Sequence, residues 1–93
     1  MIDLKDTVAL MTSADYKERF QAEFYQLETR YMKLRNMCDK WDKDELDFTP
    51  TCPRGMYDEQ LDAMWDYLEV LVDRAKLEGV KLEISYKVSL KDD

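Results

Sequence analysis

Six carboxylates, Asp58, Glu59, Asp62, Asp66, Glu69 and Asp73, fall within residues 55–73, a segment that has no lysine or arginine. Carboxylates at this density can exchange protons as a catalytic acid and base, hold a metal ion, or meet a positively charged partner. Acid–base work needs an apolar pocket that drives two pKa values apart. These acids recur instead at helical spacing on what reads as an outer helix face, and nothing around them signals such a pocket. Metal binding is disfavoured by the rest of the chain. There is no histidine, the commonest general base and metal ligand, and Cys38 and Cys52 stand in unrelated settings that make no zinc pattern. Two glycines leave no phosphate-cradling loop of the usual kinds. The chain therefore reads as non-enzymatic, without metal or cofactor, and docking is the use of the acids that remains.

Glu59, Asp62, Asp66, Glu69 and Asp73 lie opposite an apolar seam and form one acidic ridge, and with Asp58 they make the expected partner-binding set. Like charge at i, i+3 and i+4 costs helix stability, which favours its retention for a basic surface on a partner protein. Successive acids about 5–6 Å apart approximate the phosphates of a nucleic-acid strand, so the ridge suits a groove built for DNA or RNA. The net charge of -7 argues against direct nucleic-acid binding by the chain itself. The plainer account is an outer face kept polar for solubility. A second cluster, Asp39, Asp42, Asp44, Glu45 and Asp47, is partly offset by Lys40 and Lys43.

The elements that carry these residues follow from apolar spacing. Phe20, Phe24, Leu27, Tyr31, Leu34, Cys38 and Trp41 step by four and three, which is a heptad seam, and they predict a first long helix over residues 14–42 with Thr12 and Ser13 as capping side chains. Tyr57, Leu61, Met64, Leu68, Leu71 and Ala75 repeat the pattern, and Gly79 ends a second helix over residues 56–78. Pro50 and Pro53 break the chain between them, so residues 43–55 form a loop, with Leu46 and Phe48 folding back over its tip. Leu4, Val8 and Met11 share one face of a short N-terminal helix within residues 1–11 that leans on the long pair. Tyr25 and Met32 beside the seam, with Tyr16 and Phe20 near the start of the first long helix, are either covered by that N-terminal helix or by a C-terminal strand, or mark a partner site.

After Gly79 the period changes. Val80, Leu82, Ile84, Tyr86, Val88 and Leu90 alternate with polar residues, the pattern of a β-strand over residues 80–90 with one apolar face. Such a strand needs an edge to pair with. The reading is a homodimer in which two copies pair antiparallel through Leu82, Ile84, Tyr86, Val88 and Leu90; the alternatives are a partner's sheet edge or packing on the chain's own helices. The fold class expected is mainly α: one 93-residue domain, an antiparallel two-helix hairpin with a short N-terminal helix and one C-terminal strand paired in a dimer. No run of 18 apolar residues and no basic-then-apolar leader is present, so no membrane association is expected, and two cysteines are too few for a secreted disulfide scaffold. They read as reduced structural thiols of an intracellular protein.

DTVALMTSADYKERFQAEFYQLETRYMKL (6–34), LDFTPTCP (46–53) and QLDAMWDYLEVLVDRAKLEGVKL (60–82) together resemble a family of short proteins from tailed phages and prophages of gut bacteria, including relatives of crAss-like phage products. TSADYKERF and DFTPTCP are the specific blocks. The resemblance implies expression in the cytoplasm of a bacterial host and an inhibitor of host nucleic-acid-handling or defence machinery. An anti-CRISPR protein that occupies the basic channel of a CRISPR effector nuclease is one such inhibitor. The competing reading, from another class, is a self-assembling structural or accessory phage protein whose strand and heptad stripes make the homodimer.

Overall fold

The computed structural model describes residues 2–84, and these are mainly helical: a 3-10 turn at Leu4–Thr7 runs into α1 (Val8–Met11), followed by α2 (Tyr16–Asp42) and α3 (Arg54–Glu78). The two long helices pack as an antiparallel hairpin. Their 27 and 25 residues follow from the heptad seams and from the stop signals at each end. Asp15, in extended conformation, caps α2 by accepting the Lys17 N–H at 2.9 Å. Thr12 and Ser13, the expected caps, act one step earlier: Thr12 donates back to the Val8 carbonyl, and Ser13 accepts the Asp15 N–H and donates to Glu18.

The C-terminus of α2 is closed without glycine. Asp44 takes the left-handed conformation (φ 59°), and the Glu45 N–H returns to the Lys40 carbonyl at 2.8 Å. Short polar side chains tolerate that region better than most, which suits aspartate to the position. Pro53 stands immediately before α3, where its fixed φ of -60° and missing donor cost little. Leu46 is half-buried at the hairpin tip, whereas Phe48 stays 52% exposed.

One seam holds the hairpin. Phe20, Phe24, Tyr31, Leu68, Leu71 and Ala75 are buried in a single cluster, with Tyr31 against Trp65 at a ring separation of 5.6 Å and Trp41 edge-on to Tyr57 at 5.7 Å. Tyr25 is buried beside it and Met32 is partly buried, so the aromatic flank of α2 is largely core. Tyr16 remains 48% exposed.

The N-terminal element leans on α2 as expected, but through a different face. Thr7 is buried and accepts from Gln26 Nε2 at 3.0 Å, Thr29 donates to the Ile2 carbonyl at 2.9 Å, and Leu10 and Ile2 pack on the core. Of the expected face, Leu4 is half-buried, Val8 points to solvent, and Met11, 47% exposed, accepts from Gln26 Nε2 through its sulfur at 3.4 Å. The 3-10 turn at Leu4–Thr7 has three residues per turn rather than 3.6, so a face drawn on α-helical period falls out of phase across it.

The expected strand over residues 80–90 is not found in its described part, and no strand occurs among the described residues. Residues 85–90, and with them Tyr86, Val88 and Leu90, lie outside the described residues. Gly79 adopts the left-handed conformation (φ 71°), and the Val80 N–H bonds the Ala75 carbonyl at 2.9 Å, a Schellman-type close in which Val80 is buried against Ala75's cluster. The chain then runs along its own helices. Gln21 Nε2 donates to the Lys81 carbonyl at 2.9 Å, the Glu83 N–H donates to the Tyr25 hydroxyl at 3.0 Å, and Leu82 packs on the core. Side chains of α2 thus satisfy backbone groups for which a sheet partner was expected. Of the expected dimer residues, Leu82 serves this chain's own core and Ile84 is 40% exposed.

Two leucines nine positions apart on α3 test the seam. Leu68 is fully buried and Leu77 is 88% exposed. Leu68→Ala should cost about 2–5 kcal/mol in urea denaturation, and Leu77→Ala no more than about 0.5 kcal/mol. Equal losses would contradict the packing.

Candidate functional site

The acidic set stands on the side of α3 turned away from α2. Asp58, Glu59, Asp62, Asp66 and Asp73 are exposed and Glu69 is half-buried, so five of the six expected residues are open to solvent along one helix. Among the described residues no cation or hydrogen-bond donor pairs with Glu59, Asp62 or Asp73. Asp58 differs from them. It receives Arg54 Nη1 at 2.7 Å, one turn back, while the same guanidinium grips Asp42 of α2 through Nε and Nη2 at 3.0 and 3.1 Å. The structure therefore brings together Glu59, Asp62, Asp66, Glu69 and Asp73 and assigns Asp58 to a clasp across the hairpin tip.

A second clasp closes the other end. The Tyr16 hydroxyl donates to Glu78 at 2.7 Å, and Arg74 donates to Glu78 at 3.1 Å and to the Tyr16 oxygen at 3.0 Å, with its guanidinium 4.9 Å from the Phe20 ring centre. Between the two, the Tyr67 hydroxyl hydrogen-bonds Glu23 of α2. These are exposed contacts that individually add little stability, but they fix the register and hence where the ridge lies. Their electrostatics agree in sign. The Arg54 hydrogen bonds hold the Asp42 carboxyl below its ordinary range, and the Tyr16 hydroxyl, with Arg74, does the same to Glu78. Hydrogen bonding to carboxylates raises the Tyr16 and Tyr67 phenols, and those phenols stay protonated as donors.

The ridge has a neighbour that sequence reading missed. Met56, Val70 and Leu77 are exposed by 52, 54 and 88%, and with exposed Ala63 they recur every seven residues. A drift of only about 20° per heptad keeps such residues on one strip. The signal was in the spacing, but the acids between these positions make the segment read as uniformly polar. Elsewhere, an open cleft of about 380 Å³ lies between α2 and the loop, lined by Lys33, Met37, Lys40, Glu45, Leu46 and Phe48 among others. Its lining sets Lys33 and Lys40 beside Glu45 and Asp47. Cys38 is buried and Cys52 half-buried, both as free thiols, and desolvation pushes the Cys38 thiol up, away from thiolate reactivity. Among the described residues no group of three or more His, Cys, Asp or Glu could hold a metal ion, and no helix is long and apolar enough to cross a membrane.

A family model described as Sequestin matches residues 14–77, from just before the α2 cap to the last turn of α3. The chain belongs to the Sequestin family. The Sequestin segment is thus the hairpin itself, and it carries the seam, the Arg54 clasp, the ridge and the apolar strip, while α1 and the stretch after Glu78 fall outside it. No curated protein and no solved structure matches the chain.

The clasps make an acid-range prediction. Asp42 and Glu78 have folded pKa values depressed below the unfolded ones, so their contribution is present above the ordinary carboxylate range and is lost as pH falls through it. Arg54→Gln should lower the urea midpoint at neutral pH, and the gap to the unmodified protein should narrow as the carboxylates protonate. The Arg54 guanidinium also lies 5.8 Å from the centre of the Trp41 ring, and a gap that stays constant from pH 7 to about pH 3 would show that Arg54 acts through that contact alone.

Proposed function

We propose that this protein works by binding rather than catalysis, and that the outer face of α3 docks on a basic surface of a partner protein and occludes it. The observation that carries the reading is the run Glu59, Asp62, Asp66, Glu69 and Asp73, set along one face of a helix held rigid by the seam beneath it and by arginine clasps at both ends. Like charge at this spacing is a cost to the helix, and a basic partner surface would turn that cost into attraction and faster encounter. The family name, Sequestin, is in keeping with a protein that acts by holding another.

The partner class that best fits is a protein that handles nucleic acid. Its basic groove would accept a rod of carboxylates in place of phosphates, and the chain's own net charge of -7 turns it away from the nucleic acid. The resemblance of TSADYKERF and DFTPTCP to short phage and prophage proteins supports a bacterial host, and among its proteins the defence nucleases, as the place to look.

Displacement of duplex DNA from a lysine-rich linker histone, followed by electrophoretic shift, tests the face rather than the net charge. The variant with Asp62, Asp66 and Glu69 changed to lysine should lose at least about tenfold in competing strength, as expected for removing several charge contacts. A variant with Asp39, Glu45 and Asp47 changed to lysine has the same net charge and should retain it. Equal losses in both would reduce the effect to bulk charge and sink the reading.

A further inference from the structure

The acidic ridge explains attraction but leaves Met56, Ala63, Val70 and Leu77 unused. Single exposed apolar residues are ordinary on a protein surface. Four in line at heptad spacing, ending in a leucine that is 88% exposed, are not single residues. Beside them, at steps of four and three, Gln60, Tyr67 and Arg74 form the other border of the strip, on the side where Tyr67 reaches Glu23 and Arg74 reaches Tyr16 of α2. From Met56 to Leu77 the strip runs roughly 32 Å at 1.5 Å per residue, the length of six turns of a docked helix.

We infer that the Met56–Ala63–Val70–Leu77 strip is the docking track for a basic amphipathic helix of the partner protein. This deepens the proposed function and rests on it: the acids select the partner's charge, and the strip selects its form. Glu59, Asp66 and Asp73 each lie three residues after Met56, Ala63 and Val70, and Asp62 and Glu69 each lie one before Ala63 and Val70, so one border of the strip is acidic throughout. A helix that laid leucines on the strip would bring its flanking positions over that border, where lysine or arginine is attracted and glutamate repelled. A second copy of this chain fits less well. Two-fold antiparallel pairing strip to strip sets the acidic border against itself, and parallel pairing sets it against Gln60, Tyr67 and Arg74, whose one cation already serves Glu78 and Tyr16.

The test uses the full chain and two labelled peptides of identical composition, about three heptads long. One places leucine at the seam positions and lysine or arginine beside them, and the other is shuffled to destroy the heptad. Fluorescence anisotropy should show the heptad peptide binding at least about tenfold tighter than the shuffled one. Val70→Gln with Leu77→Gln, which leaves charge and the buried seam intact, should remove that advantage, with circular dichroism confirming the fold. Equal binding of both peptides, or a double variant that binds as well as the parent, overturns the strip; if the triple lysine variant still fails to compete in the displacement assay, the acidic-face reading survives that loss. Undiminished heptad-peptide binding by the triple lysine variant would instead uphold the strip and remove the electrostatic reading. Concentration-dependent dimerisation lost in the Val70/Leu77 variant would assign the strip to a second copy. Binding that appears only after removal of residues 85–93 would assign it to the chain's own end. Either result overturns the proposal.

Discussion

A two-helix hairpin has one seam in which to bury apolar surface, and in this protein that seam, Phe24 of α2 against Leu68 and Leu71 of α3, is the contact on which the other features depend. A core this narrow leaves most of the α3 circumference in water, whereas α2 between Phe20 and Met32 is covered on its other side too, by the N-terminal element and the chain after Gly79. Polar contacts then have to do what a thicker core would do elsewhere. Gln26 and Thr29 hold the N-terminal turn, Gln21 and Tyr25 hold the chain after Gly79, and Arg54 and Arg74 lock the two ends of the hairpin. Individually such contacts are weak, yet together they leave the helices little freedom to slide, and a fixed α3 presents a fixed outer face.

That face combines two kinds of surface in one element. The ridge of carboxylates acts at a distance and decides which charge approaches, whereas the apolar strip beside it acts only on contact. Apolar area without charge selects poorly among partners, and charge without apolar area binds loosely and is screened by salt. Having both on one helix, within the segment that the Sequestin model matches, is the physical basis for reading the hairpin as a binding device.

Much of this was legible in the spacing of residues. The two heptad seams fixed both long helices to within two residues, Gly79 marked the end of α3, and the acids fell on the outer face because the seam positions are set by the same period. What was not legible has specific causes. The face of the N-terminal element was misplaced because a 3-10 turn shifts the phase between Leu4 and Val8. The alternation after Gly79 holds from Val80 to Glu83, with Val80 and Leu82 inward and Lys81 and Glu83 outward, and breaks at exposed Ile84; its hydrogen-bonding partners are side chains about sixty residues earlier, and period alone cannot tell those from a neighbouring strand. Asp58 was grouped with the ridge because its link to Asp42 passes through Arg54, a contact made only once the hairpin closes.

The claim that α3's outer face is the binding surface can be read residue by residue. Two-dimensional NMR of the isotopically labelled full chain, titrated with the lysine- and leucine-bearing heptad peptide, would follow the backbone amides at once. The account predicts shifts that run along α3 at Glu59, Asp62, Ala63, Asp66, Val70, Asp73 and Leu77, with the seam residues Phe24 and Leu68 unmoved. Shifts centred instead on the α2 face around Lys33 and Lys40, or spread evenly over the surface, would contradict it.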